Sequence, residues 1–342
     1  MSNHLELGIT TFAEVMPDPK TGKTPTYDER IRQVVDEIVL ADKLGLEYFG
    51  VGEHHRADFA ASAPHMILAA AAPLTKQIKL GSAVTVLSSE DPVRVYQNFA
   101  TLNALSNGRA ELLAGRGSFI ESFPLFGYDL RDYDKLFSEK LDLLLNIRDN
   151  EIVTWEGETR EKIDGLGVYP RPSDPLSIAI AVGGTRSSVV RAGRLGLPLF
   201  LAIIGGEPAR FRPLVELYKQ VYREYGHDES KMFVSVHSHG YIDTDHHKAI
   251  MDYFPSIEPA MSKIGRERGW GPYTMQTYKH AISMDGALYV GDPKYVAKKI
   301  NKVKKDLGVD RFALHVPMGY MDHDKVMKTI ELLGTEVRKL VK

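Results

Sequence analysis

Short apolar runs alternate along this chain with longer segments in which apolar residues recur at helical spacing. Several of the short runs are apolar without alternation, which is typical of parallel strands buried on both faces. The eight predicted strands are residues 5–10, 48–52, 78–84, 109–114, 177–182, 199–204, 233–242 and 311–316. Eight strands that alternate with helices favour a closed (β/α)8 TIM barrel over an open sheet.

Three of the predicted helices carry clear start and stop signals. Thr26-Tyr-Asp-Glu29 is a capping box, and Asp91-Pro92 and Asp292-Pro293 each combine an N-cap with a proline in the first turn. Glycines at 45, 108 and 308 close these three helices. Six further helices are predicted at residues 63–73, 133–148, 186–195, 208–225, 246–268 and 325–341.

Three long connections interrupt this alternation, at residues 11–25, 150–175 and 252–286. The first and the third fall on the carboxyl face of a barrel, where active sites of this architecture are built. The third contains Tyr253, Phe254 and the sequence Trp270-Gly-Pro-Tyr273, which suits either a mobile lid or an excursion that only packs the rim. Because no linker or repeat divides the chain, residues 1–342 are expected to form a single barrel domain with insertions in its carboxyl-face loops.

The composition narrows the class of protein. An apolar fraction of 43% and a charged fraction of 26% are ordinary for a soluble globular protein, and a net charge of −2 gives no electrostatic footprint for nucleic acid. The absence of cysteine excludes disulfides, thiolate metal sites and a catalytic thiol. We see no signal peptide and no apolar run long enough to span a membrane. A cytoplasmic enzyme with no nucleic-acid or membrane partner is therefore expected.

One carboxylate and two imidazoles follow the second predicted strand. Neighbouring strand residues point to opposite faces, so Glu53, His54 and His55 cannot all fill the core. Histidine is also the side chain whose unperturbed pKa lies nearest neutrality. The cluster indicates a catalytic site, with a solvated loop as the alternative.

Two glycine-bearing segments are candidates for anion binding. Arg116 lies between Gly115 and Gly117 at the end of the fourth predicted strand, where it could bind phosphate or form an internal salt bridge. The run Gly183-Gly184-Thr185 leads through Ser188 into a helix, whose first amide groups favour an anion. Thr185 alone could be no more than an N-cap, but the two segments together favour a phosphate site.

The remaining histidines are less specific. His237 and His239 alternate on the seventh predicted strand, so both could face one side, as pocket or as core residues. Asp243-Thr-Asp-His-His247 has the residue types of a metal site, but its position at a helix start favours capping. No metal is predicted.

Several motifs in the same order resemble the bacterial luciferase-like flavin-dependent monooxygenases across nearly the whole chain. These motifs are Leu7-Gly-Ile-Thr10, Gly50-Val-Gly-Glu-His-His55, Ile78-Lys-Leu-Gly-Ser-Ala-Val84, Asp91-Pro-Val-Arg94, Leu105-Ser-Asn-Gly-Arg109, Gly115-Arg-Gly117, Arg194-Leu-Gly-Leu-Pro198 and Val290-Gly-Asp-Pro293.

The resemblance implies a (β/α)8 barrel that holds reduced FMN at its carboxyl face. It also implies a cis peptide bond at Ala83–Val84 beneath the flavin ring, phosphate contacts from Arg116, Gly184, Thr185 and Ser188, and a catalytic role for His54. Bacterial luciferase has a reactive cysteine where this chain has Gly115, and a glutamate where it has Gly184. Light emission is therefore not implied.

The leading hypothesis is an FMN-dependent monooxygenase supplied with reduced FMN by a separate reductase. Through a flavin peroxide, dioxygen would oxidise a small aldehyde, ketone, sulfonate or hydrocarbon, with His54 as acid/base oriented by Glu53. A homodimer packed through the helices after the second and third strands is expected. The alternatives are a deazaflavin-dependent hydride-transfer oxidoreductase, a metal-dependent hydrolase and a non-catalytic flavin-binding protein.

Overall fold

All eight predicted strands are present, and they pair in parallel around a closed barrel. The computed structural model describes residues 4–117 and 119–342. The strands of the described chain are β1 Glu6–Thr11, β2 Tyr48–Val51, β3 Lys79–Ser82, β4 Thr85–Val86, β5 Ala110–Gly115, β6 Ile152–Trp155, β7 Ile163–Gly167, β8 Ser177–Val182, β9 Leu199–Ala202, β10 Val234–Ile242, β11 Tyr289–Gly291 and β12 Arg311–His315.

The barrel closes because β1 hydrogen-bonds to a strand on each side. Its Gly8 is in register with Tyr48 of β2, and its Glu6 is in register with Arg311 of β12. The order around the barrel is β1, β2, β3, β5, β8, β9, β10 and β12, with β4 adding a short pairing to β5 beyond the end of β3. The prediction of a closed parallel barrel is confirmed.

The predicted helix signals lie where the helices begin and end. Thr26 accepts a hydrogen bond from the Glu29 amide, Asp91 and Asp292 cap their helices in the same way, and Gly308 ends its helix at a positive φ of 63°. The helices are α1 Tyr27–Lys43, α2 Pro64–Ala71, α3 Pro92–Leu105, α4 Ser122–Leu125, α5 Tyr133–Asp149, α6 Arg186–Arg194, α7 Arg212–Glu224, α8 His246–Glu267, α9 Met275–Ile282, α10 Pro293–Leu307, α11 His323–Leu332 and α12 Arg338–Leu340.

Four features differ from the prediction. The connection at residues 150–175 contains an antiparallel hairpin of β6 and β7, and a short strand, β11, pairs with β10. Within the connection at residues 252–286, α8 confirms the helix predicted at 246–268, but the additional helix α9 was not predicted. The last predicted helix is divided by a π-helical turn at Leu333–Val337.

Large side chains inside the barrel are accommodated by glycines on neighbouring strands. Tyr48 is 1% exposed and packs with Leu113, Phe200 and Ala313 in the barrel interior. A Cβ atom added to Gly81 would lie 2.5 Å from the Tyr48 ring, so this position has no room for a side chain. A second and larger core fills the space between the barrel and its helices.

The amino-terminal end of the barrel holds a buried cation. Arg311 donates to Glu111 at 2.7 and 3.0 Å and to Glu6 at 2.8 Å, and its guanidinium lies 4.3 Å from the centre of the Tyr48 ring. Burial alone would raise the pKa of Glu111, but the charge and hydrogen bonds of Arg311 hold this pKa below its ordinary value. Within the described residues, no helix combines the length and apolar character that membrane crossing requires.

Replacement of this cation should destabilise the barrel. We expect Arg311→Met to lower the free energy of unfolding by about 3 kcal/mol, because two partly buried carboxylates lose their main partner. Arg212→Met is the matched control, since Arg212 is 67% exposed and its pair with Glu216 contributes no more than about 0.5 kcal/mol. Urea unfolding of both variants measures the difference; equal losses would contradict a structural role for Arg311.

Candidate active site

A cavity of about 410 Å³ opens among the carboxyl ends of the barrel strands. This volume lies in the range of sites that bind a cofactor or small molecule. Eight of the ten predicted site residues line it, namely Glu53, His54, Ala83, Val84, Gly115, Arg116, Gly183 and Thr185. Ser188 reaches the same region by a hydrogen bond to Arg116, and Gly184 lies between two lining residues.

The chain bends after β3 at a cis peptide bond between Ala83 and Val84. The cis bond lies at the position that the resemblance implied. Val84 then lies against Gly115 on β5, where an added Cβ atom would be 2.6 Å from Val84 Cγ2. The absence of a side chain at position 115 therefore goes together with the position of Val84 in the cavity wall.

Glu53 positions His55 and the chain after β3, and the prediction that it orients His54 is wrong. Its Oε1 atom lies 2.8 Å from Nε2 of His55, and its Oε2 atom accepts a hydrogen bond from the Val86 amide at 2.8 Å. Consecutive extended residues project to different sides, so His54 points away from this carboxylate. Both oxygens of Glu53 are engaged elsewhere.

His54 lies in an aromatic pocket with one nitrogen unpaired. Its ring centre is 4.4 Å from that of Phe12, 4.5 Å from Phe59 and 5.1 Å from Phe119. Its Nε2 atom is buried and has no hydrogen-bond partner among the described residues. Burial, with smaller effects of His315, His55 and Arg56, lowers the pKa of His54 to about 3. The ring is therefore neutral at pH 7 and can donate one hydrogen bond and accept another.

Arg116 lies at the other end of the cavity. Its two predicted roles were phosphate binding and an internal salt bridge. It donates to Asp134 at 2.7 Å and to Ser188 at 3.2 Å. The internal salt bridge is thus present, but Asp134 is 77% exposed, and such a pair contributes little. Thr185 is the N-cap residue of α6 without a side-chain capping bond, so its hydroxyl does not occupy the first amides of the helix.

At the floor of the site, sequence reasoning left two histidines open between pocket and core and missed a third. His237 and His239 both line the cavity, as their spacing allowed, and they are joined by His315 of β12, which was assigned only to an apolar strand. Ligand atoms of these three imidazoles lie within 4.8 Å of one another, close enough to consider a metal site among the described residues. Both ring nitrogens of His315 already have partners, in Thr10 at 3.2 Å and Glu14 at 2.8 Å.

The other histidine cluster caps a helix. Asp245 accepts a hydrogen bond from the Lys248 amide and is the N-cap of α8, and His246 packs on Tyr295 with ring centres 4.5 Å apart. The capping interpretation of residues 243–247 agrees with these contacts.

Part of the long segment at residues 252–286 covers the cavity. Met261, Ile264 and Arg268 line it from α8 and its end, and Trp270 lines it from the following loop. Trp270 is 53% exposed. The segment therefore has the position of a lid, and its movement stays a prediction.

A family model described as luciferase-like monooxygenase matches residues 5–311. The chain belongs to this family. It is an oxidoreductase of the flavin type, in a family that includes monooxygenases acting on small molecules.

Individual relatives do not decide the cofactor. The protein y4vJ of Sinorhizobium fredii, whose own function is uncharacterised, is 25% identical over 90% of each chain. Other curated relatives match over about half of their own length.

Two solved structures show the same fold with different cofactors. The oxygenating constituent of 3,6-diketocamphane monooxygenase from Pseudomonas putida, solved with FMN, has a TM-score of 0.78 at 18% identity and covers 99% of both chains. The coenzyme F420-dependent tetrahydromethanopterin reductase of Methanopyrus kandleri has a TM-score of 0.74 at 20% identity, with 99% of this chain and 100% of that chain covered.

Proposed function

We propose that the protein is an FMN-dependent monooxygenase that receives reduced FMN from a separate reductase and oxidises a small organic substrate with dioxygen. The observation that carries the proposal is one cavity with an anion-binding end at Arg116 and α6, and an aromatic end at His54. Reduced FMN would supply the two electrons for the reduction of dioxygen.

The anion-binding end fits a flavin phosphate. Arg116 provides a planar fork of donors, Ser188 provides a hydroxyl 3.2 Å from it, and α6 directs its uncapped amides to the same place. A Cβ atom added to Gly183 would meet no atom within 4 Å, so there is space beside these donors. The exposed pair with Asp134 can exchange for a phosphate at little cost.

The opposite end fits a flat ring and a small apolar substrate. The wall around His54 is lined by Phe12, Phe59, Phe119 and Met318. Because Gly115 has no side chain, it does not cover the face of Val84. An apolar wall excludes water from the reacting atoms and strengthens the few hydrogen bonds made there. His54 would exchange a proton with the substrate or with reduced oxygen through its unpaired Nε2 atom.

Removal of the Arg116 charge should weaken FMN binding selectively. We expect Arg116→Met to raise the Kd for FMN by about ten- to a hundredfold, since charged hydrogen bonds contribute about 1.5–3 kcal/mol. The Kd for riboflavin, which lacks the phosphate, should stay unchanged. Titration monitored by flavin fluorescence measures both constants.

Arg131→Met is the control for this change, because Arg131 is 90% exposed and pairs with Asp129 away from the cavity. Equal weakening of FMN and riboflavin by Arg116→Met would contradict the phosphate contact. A deazaflavin that binds more tightly than FMN to the unmodified protein would identify the protein as a hydride-transfer oxidoreductase instead.

Replacement of His54 should affect turnover more than binding. We expect His54→Gln to lower the rate of product formation by about 10²–10⁴, with FMN affinity unchanged. The assay supplies reduced FMN and oxygen to a panel of aldehydes, ketones, sulfonates and hydrocarbons. Since the pKa of His54 lies at about 3, wild-type turnover should show no step from this imidazole between pH 5 and 8.

His247→Gln, at an exposed position, is the control for the loss of an imidazole. Unchanged turnover in His54→Gln would favour a flavin-binding protein in which this ring is not catalytic.

We further propose a homodimer that packs through α2 and α3. Met66 at 64% exposure and Leu105 at 52% leave apolar surface on these helices, while Ala71 and Ala72 are buried within the chain. Sedimentation velocity should give twice the mass of one chain, and Met66→Glu should shift the protein toward a single chain. A wild-type protein that sediments as one chain would contradict this assembly.

A further inference from the structure

Four buried side chains below the cavity form one continuous chain of hydrogen bonds. Oε1 of Glu14 lies 2.8 Å from Nε2 of His315, and Nδ1 of His315 lies 3.2 Å from the Thr10 hydroxyl. The same hydroxyl lies 2.9 Å from Nδ1 of His237. The four residues come from β1, the loop after it, β10 and β12, and all are at most 5% exposed.

The carboxylate fixes the direction of every hydrogen bond in the chain. Glu14 also accepts from Thr11 at 3.2 Å, so both of its oxygens act as acceptors. His315 therefore donates through Nε2, and the tautomer that carries its proton on this atom accepts through Nδ1 from the Thr10 hydroxyl. The Thr10 oxygen in turn accepts from Nδ1–H of His237, which leaves Nε2 of His237 with a free lone pair.

This lone pair belongs to a residue that lines the cavity. Nε2 of His237 makes no hydrogen bond to any described residue, whereas its Nδ1 atom is held by Thr10. Burial, followed by the effect of His315, lowers the pKa of His237 well below its ordinary value. The ring is therefore neutral at rest, and a proton taken up at Nε2 is better stabilised when the positive charge moves on along the chain of hydrogen bonds.

We propose that Glu14, His315, Thr10 and His237 are a proton relay that removes a proton from the bound substrate. Nε2 of His237 would take the proton, while the bonding pair stays on the substrate atom. The Nδ1 proton of His237 passes to the Thr10 oxygen, and the hydroxyl proton of Thr10 passes to Nδ1 of His315. The positive charge then lies on His315, 2.8 Å from the Glu14 carboxylate.

The surrounding charges favour this end point. Glu14 has a completely buried side chain, and the nearest cation, Arg30, is paired with buried Glu37 at 2.5 Å. Arg30 reaches Glu14 only through Thr11, to which it donates at 3.4 Å. The other titratable groups that face the relay are the neutral rings of His54 and His239, the phenol of Tyr253, whose pKa burial raises, and His323 beside Glu37. An imidazolium at His315 therefore meets a carboxylate that no lysine or arginine of the described chain contacts directly.

A metal ion would use the same residues in a different way. Three ligands would require His315 to give up Thr10 or Glu14, because both of its nitrogens are engaged. The complete hydrogen-bond chain favours proton transfer over metal binding.

The inference rests on the proposed monooxygenase function and adds a substrate class. The substrate should carry an acidic proton, either on a hydroxyl group or on a carbon next to a carbonyl. His237 is the catalytic base, and Thr10, His315 and Glu14 are positioning residues.

Thr10→Val and Thr10→Ser form a matched pair that tests the relay. Valine has nearly the shape of threonine but cannot pass a proton. We therefore expect Thr10→Val to lower turnover of an acidic substrate by about ten- to a hundredfold, which is a part of the effect that general base catalysis usually has. Serine keeps the hydroxyl and should restore most of the rate. Glu14→Gln should lower the rate as Thr10→Val does, with FMN affinity unchanged in all three variants.

A solvent isotope effect separates the relay from simple packing. In wild type and Thr10→Ser, turnover should be slower in D2O, and the solvent isotope effect should contain contributions from more than one transferred proton. Thr10→Val should lose this multiple-proton contribution. A Thr10→Val variant that folds and retains the full rate and isotope effect would overturn the relay.

The resting tautomers test the relay independently of any turnover. In ¹⁵N NMR spectra of histidine-labelled protein, Nδ1 of His237 should carry the proton and Nε2 should not. The signals of His237 are assigned by their loss in His237→Gln. A proton on Nε2 at rest would overturn the relay. A metal ion bound stoichiometrically to the wild-type protein and absent from His237→Gln would also overturn it. The predicted tautomers in a protein that oxidises nothing would refute the proposed function but support the relay.

Discussion

Closure of the sheet is the constraint on which the rest of this structure depends. Because β1 hydrogen-bonds to both β2 and β12, the strands cannot spread, and all their carboxyl ends meet on one rim. Thr10 and His315, which are 305 positions apart in the chain, thereby come within a hydrogen bond of each other. The arginine at the opposite end of the barrel holds the same two strands near their amino ends, where Glu6 and Arg311 are in register.

The strand and helix pattern was predictable because it depends on local chemistry. A capping side chain, a proline in the first turn and a closing glycine each act within a few residues, and at Thr26, Asp91 and Asp292 the structure has the caps that the sequence indicates. The β6–β7 hairpin was missed because it is an exposed pairing, with Ile152 57% and Leu166 61% exposed, and so it lacks the apolar pattern of a buried strand. The helix predicted at residues 246–268 is present as α8, although Pro255 and Pro259 lie within it, whereas the following helix α9 was not predicted.

Site residues that stand in a distinctive local motif were found, and those that depend on long-range pairing were not. Glu53, His54, Arg116 and Thr185 line one cavity, as their places at strand ends suggested. The partner of Glu53 could not be predicted from its neighbours in the sequence, because its carboxylate binds His55 and the Val86 amide rather than the adjacent His54. His315 and Glu14 gave no local signal; only strand closure brings them together.

The distribution of charge along the cavity has a consequence for the design of ligands. A guanidinium stands at one end and the wall of the cavity is aromatic. At the floor, burial lowers the pKa of His237 and His239 well below the ordinary value, so these two rings carry no charge near pH 7. An elongated molecule with an anionic head and an apolar tail should therefore bind in one orientation, with its head at Arg116 and its tail at the opposite end. Inhibitors for this protein should be built as amphiphiles, and a second anionic group at the deep end should weaken them.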